Sequence, residues 1–155
     1  MNEDPKALGT ENIRWDLARI YAGIDDPAVQ ADIERIAALC DGFHAQFKGQ
    51  LATALGDAIE AYRAIEELTN KLFIWFHLMK AVDVKDQKLK TVLSKIHMRL
   101  DPIMAERLTF FDHEIIALSD EQIAAQASHP AVAKHMPWIV QTRTYKPYLL
   151  AENVE

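Results

Sequence analysis

The chain is expected to be all-α, an antiparallel bundle of three long helices followed by shorter C-terminal helices. Three observations predict this. Apolar residues recur at steps of three and four over three long stretches, which is the spacing of one helix face. Only 5 glycines and 6 prolines punctuate the 155 residues, too few for a fold of many short strands and turns. The run Leu72-Phe73-Ile74-Trp75-Phe76-His77-Leu78-Met79 is apolar on nearly every side, with Lys71 and Lys80 at its flanks. A helix of that kind must be buried by neighbours on several sides. The run falls well short of the roughly 20 residues that cross a bilayer, so it reads as the end of a central core helix.

Length and charge narrow the function. A chain of 155 residues suggests one domain with a proper core. The net charge of −6 argues against a nucleic-acid partner, which needs a basic stripe, and against a polybasic membrane anchor. The single cysteine, Cys40, cannot close an internal disulfide. Met1-Asn2-Glu3-Asp4-Pro5 is acidic and polar, unlike a signal peptide. A soluble, cytoplasmic protein is the expectation.

Residues 1–12 carry little apolar content and read as a loose arm. Trp15, Leu17, Ile20 and Tyr21 are placed to strap that arm, residues 1–25, onto a helical domain over residues 26–146. Asp26 suits the cap of the first long helix and Pro27 its first turn. Val29, Ile33, Ile36, Cys40, Phe43 and Phe47 form its apolar stripe, and Gly49 is its stop signal. Cys40 lies inside that stripe, as a small core residue rather than a nucleophile. The second helix is predicted to start between Leu51 and Asp57. Its stripe is Ala58, Tyr62, Ile65, Leu68 or Thr69, Leu72, Trp75 or Phe76, Met79 and Val82. His77 is expected as a hydrogen-bonded core histidine.

Asp83-Val84-Lys85-Asp86 reads as a turn. A third stretch carries Leu89, Val92, Ile96, Leu100, Ile103, Leu108, Phe111, Ile115 and Leu118 in one phase. Pro102 lies within it and should kink or break it, since proline removes a backbone hydrogen bond and disfavours helix at Asp101; the unbroken phase of the stripe favours a kink. Ser119 and Gln122 fit a capping box for a short helix to about Ala127. His129-Pro130 opens a further piece, and Pro137-Trp138-Ile139 another. Residues 147–155 look extended, and the chain reads as cut rather than finished.

Motifs that carry chemistry are few in this chain. A zinc peptidase helix uses His-Glu-x-x-His, two ligands one turn apart with a glutamate that polarises the bound water. His113-Glu114 begins such a motif, but Ala117 stands where the second ligand belongs, so a solvated helix face is expected. His97 and Asp101 could share one face as a metal pair. Di-iron bundles need Glu-x-x-His on two helices, and the chain has none. Cys-x-x-Cys, a Gly-rich phosphate loop and a Gly-x-Ser-x-Gly elbow are missing as well.

The order of several short motifs resembles the start of oligoendopeptidase F-type peptidases, which belong to the thimet-oligopeptidase-like zinc metallopeptidases. Trp15-Asp16-Leu17, Ile20-Tyr21 and Asp25-Asp26-Pro27 carry its beginning. Phe43 with Phe47-Lys48-Gly49-Gln50-Leu51 resembles the step after the family's first helix. Phe110-Phe111 with Glu114 and Leu118 resembles its third. His129-Pro130, Trp138-Ile139, Arg143 and Lys146-Pro147-Tyr148-Leu149 with Glu152 resemble its exit toward the catalytic part. Tyr148-Leu149-Leu150 departs from the usual His-x-Leu-Ser wording, and Met136-Pro137 adds a proline.

The resemblance implies a helical N-terminal domain forming one wall of a substrate channel. Zinc and the catalytic helices of the parent enzyme would lie on another segment. Its implied partners are that catalytic domain and, through the channel, short peptides. It assigns no catalytic, cofactor-binding or metal residue to this chain, which is expected to be inactive alone. One alternative is a free-standing helical interaction module without enzymatic activity. Another is a bundle that holds a metal or small ligand through His44, His77, His97, His113, His129 and His135. Zinc is not expected to raise the melting temperature.

Overall fold

The computed structural model describes residues 16–146. Trp15, the arm over residues 1–12 and the exit over 147–155 lie outside the described residues. Within them the chain forms five α-helices, with a 3-10 turn at Leu17–Arg19 ahead of the first. These are α1 (Pro27–Phe47), α2 (Leu51–Val82), α3 (Gln87–Ala117), α4 (Asp120–Ala125) and α5 (Pro130–Arg143). No strand occurs among the described residues.

Each boundary has a local cause. Asp26 caps α1 by accepting from the Ala28 amide, with Pro27 in the first turn. The chain then turns at Gly49, whose φ of 76° suits a residue without a side chain. Asp86 caps α3 through the Leu89 amide. Ser119 and Gln122 cap α4 reciprocally. His129 caps α5, its Nδ1 accepting from the Ala131 amide.

Cross-helix pairs set direction. Lys71 Nζ meets Asp32 at 2.7 Å and the Phe43 and Tyr62 rings lie 5.8 Å apart, so α2 runs antiparallel to α1. Phe73 stacks on His97 and Tyr62 on Phe111, so α3 runs antiparallel to α2. Asp25–Lys88, Glu34–Arg99 and Asp41–Arg107 ion pairs align α3 with α1. These pairs are exposed and worth little each; their use is register. The core between the three helices is apolar: Val29, Ile33, Ile36, Cys40, Phe43 and Phe47 of α1 are all buried, as the stripe predicts.

Three expectations need correction. The run at Leu72–Met79 is not enclosed on all sides. Leu72, Trp75 and Phe76 are buried, but Ile74 is 53 % exposed and His77 faces solvent. The reason is coverage. In the register set by Asp32–Lys71, α1 begins opposite the last turns of α2, and α4 and α5 pack on the first half of α2. Val82, also predicted in the stripe, is 75 % exposed for the same reason. Next, Ile20 does not anchor the strap. Leu17 and Tyr21 do, with the Trp75 indole donating to the Leu17 carbonyl at 3.0 Å and Tyr21 set edge-on against Trp75.

Finally, Pro137 does not start a new helix. α5 runs through it, and α3 likewise runs unbroken through Pro102. Each proline removes one backbone bond. Pro102 and Met98 on α3, and Pro137 and Ala133 on α5, all lie at the surface, so water can satisfy the carbonyl that each proline leaves free.

Candidate functional site

The most site-like feature is an open cleft of about 420 Å³ where α2, α3 and α5 meet. Its floor is aromatic. Tyr62 from α2 stacks on Phe111 from α3 at 4.8 Å and 30°. Phe111 in turn lies 6.0 Å from Trp138 of α5 at 32°. Phe43 of α1 supports Phe111 edge-on at 5.2 Å. Phe111 is buried, whereas Tyr62 and Trp138 are half-buried and give the cleft its walls.

The rim is polar and acidic. Glu66 lies one turn beyond Tyr62 on α2, Asp112 follows Phe111 on α3, and His135 comes from α5. Arg63 also lines the cleft, but its guanidinium is held by Glu60 at 3.1 Å and by Glu67. Both rim carboxylates act on the Tyr62 hydroxyl. Burial, then the charges of Glu66 and Asp112, push it up to about 12. Loss of water around Asp112 pushes its own carboxyl above the ordinary range, with the neighbouring His113 charge pulling the other way. A cleft lined by aromatic rings and two carboxylates suits a planar cation.

The histidines weighed as ligands are spread over the bundle. His44 packs edge-on against Phe110. His97 stacks on Phe73 and meets Asp101 at 3.1 Å across one helical turn, two side chains without a third ligand among the described residues. His129 is spent on capping α5 and lies 3.5 Å from Asp57. His135 alone of the six lines the aromatic cleft. No group of three or more His, Cys, Asp or Glu able to hold a metal occurs among the described residues.

Glu114 accepts from the Gly49 amide at 2.6 Å, a surface contact that ties α3 to the α1–α2 turn. Cys40 is fully buried, and burial pushes its thiol up to about 11, which suits a core residue and not a nucleophile. The cleft itself was not visible as a site in sequence. Tyr62 and Phe111 read as core stripe, and Glu66 as a solvated face. The available signal was an acid placed beside each aromatic, Tyr62 with Glu66 and Phe111 with Asp112.

No helix of the described residues is long and apolar enough to cross a membrane. Comparison with family models, with curated proteins and with solved structures finds no match.

Proposed function

We propose that this chain is a non-catalytic helical domain of an oligoendopeptidase F-like zinc metallopeptidase, and that it supplies one wall of the channel in which the parent enzyme cleaves short peptides. The observation that carries this is where the family-like residues fall. They form joints between helices. Asp26 and Pro27 open α1. Gly49 makes the turn into α2 and donates to Glu114 on α3. Phe43, Phe110, Phe111 and Trp138 tie α1, α3 and α5 through ring contacts. Arg143 closes the end of α5 onto the Leu118 carbonyl and Asp120. Motif residues that act as joints fit a scaffold.

A second feature fits the same proposal. Ile74, Val82, Val84 and Met98 are each more than half exposed, and Ile74 and Met98 are chain neighbours of the Phe73–His97 stack. Exposed apolar side chains on α2, on the turn after it and on α3 are suited to contact with a further domain. In this account zinc, the attacking water and the general base belong to that domain, and the working compartment is the cytoplasm.

The test is a peptide-cleavage assay on this chain and on the product of the whole reading frame that encodes it, with zinc and with a chelator. The expected result is chelator-sensitive cleavage by the frame product and none by this chain. Chelator-sensitive turnover by this chain alone, or a frame product that neither binds zinc nor cleaves peptides, overturns the proposal. The latter outcome would favour the interaction-module alternative.

A further inference from the structure

We propose that the cleft between α2, α3 and α5 binds the guanidinium of an arginine side chain on a peptide, laid against the Tyr62 and Trp138 rings and held by the Glu66 and Asp112 carboxylates. This does not depend on the peptidase proposal, because it rests only on the cleft.

Three independent observations point to that ligand. The first is shape. The cleft is open and of about 420 Å³, room for a side chain. The second is the floor. Tyr62, Phe111 and Trp138 follow one another at interplanar angles of 30° and 32°, and ring faces attract cations through their quadrupole. A planar guanidinium can lie on such a face and still direct its N–H groups sideways, which a compact ammonium cannot do. The third is charge. Glu66 and Asp112 come from different helices and both line the cleft beside Tyr62 and Trp138; both also raise the Tyr62 phenol. Arg63, the one arginine or lysine in the lining, is turned to Glu60 and Glu67. The chain as a whole carries −6, which favours basic partners.

Phe43 fixes Phe111 from behind. A guanidinium between the two acids would lie beside the Asp112 carboxylate, which stands exposed at the rim. A citrulline side chain has nearly the same shape and no charge, so it separates electrostatic recognition from simple stacking.

The experiment is a titration of this chain with N-acetyl-arginine methylamide, followed by amide and indole NMR shifts. Matched titrations use the citrulline and lysine analogues. Parallel titrations use Glu66→Gln, Asp112→Asn and Trp138→Leu, each checked for folding by thermal melt. The expected result is saturable shifts centred on Trp138, Tyr62 and Asp112. Affinity for the citrulline analogue, and for arginine with either carboxylate variant, should fall by about tenfold or more. The lysine analogue should bind more weakly than arginine. Equal binding of citrulline, shifts centred elsewhere, unaltered affinity in both folded carboxylate variants, or no saturable shift at millimolar ligand each overturn the proposal.

Discussion

The side-chain amide of Gln126 takes up the backbone bond that α2 drops at Leu55. Ala54 leaves helical geometry, with φ −124° and ψ 23°, so the helix breaks one turn after it begins. Across that break the Leu55 N–H donates to Gln126 Oε1 at 2.7 Å. Gln126 Nε2 donates back to the Leu51 and Ala52 carbonyls, both at 3.0 Å. One residue after α4 therefore holds both sides of a kink more than seventy residues away in sequence. Gln126→Ala would leave these half-buried groups without their partner. It should cost about 2 kcal/mol, read as a lower denaturation midpoint. Gln126→Glu keeps the acceptor for Leu55 but turns an oxygen toward two carbonyls, so it should also destabilise.

Beside the same kink, Gly56 and His129 are in close approach. A Cβ at Gly56 would sit 2.3 Å from His129 Cγ. Alanine in place of a helical glycine ordinarily stabilises by roughly 0.5–1 kcal/mol. Here the ring that caps α5 occupies the space, so Gly56→Ala should instead destabilise by about 1–2 kcal/mol. Adding His129→Asn, a smaller residue that still caps, should recover part of the loss in a thermal melt.

The linkage of Asp32 predicts a pH dependence. Asp32 Oδ2 accepts from the Tyr21 hydroxyl at 2.6 Å and from Lys71 Nζ at 2.7 Å, with Lys71 also 4.5 Å above the Tyr21 ring. Burial raises the Asp32 carboxyl, but those two bonds and the Lys71 charge outweigh it, so the carboxyl is held below its ordinary value. A depressed folded pKa means stability that is full above the unfolded carboxylate range. It is lost as pH falls through the folded value. Asp32→Asn should lower stability near neutrality by about 1 kcal/mol, since the lysine is partly exposed. It should also flatten the acid limb below about pH 4. An unchanged acid limb would show that the triad is not coupled to folding.

Much of this fold is legible in sequence because its causes are local. Asp26-Pro27, the α1 stripe and Gly49 each act within a turn or two of themselves. What is not legible depends on which element covers which. The Leu72–Met79 run reads as enclosed because its composition is apolar. Yet Ile74 and His77 face solvent, since α4 and α5 cover only the other half of α2. Pro137 reads as a boundary because proline breaks isolated helices, whereas at an exposed position water makes up the missing bond. The cleft is the extreme case. Tyr62, Phe111 and Trp138 lie on three helices, and only their packing brings three core-like aromatics and two acids into the lining of one cleft.

Thr69 offers a stabilising change. It sits in α2 at 6 % exposure, among the residues that face the bundle core. Its Oγ1 is fully buried and has no hydrogen-bond partner. A helical threonine can bond the carbonyl one turn back, but this hydroxyl does not. Burying an unmatched hydroxyl costs free energy that a methyl in its place does not. Thr69→Val keeps the branched shape and should stabilise by about 1 kcal/mol, a rise of about 2–4 °C in melting temperature for a domain of this size. Thr69→Ser keeps the stranded hydroxyl and loses the methyl contact, so it should destabilise. The pair of melts separates the two terms. If valine lowered the melting temperature as much as serine does, the hydroxyl at Thr69 would have to be hydrogen-bonded in the folded protein.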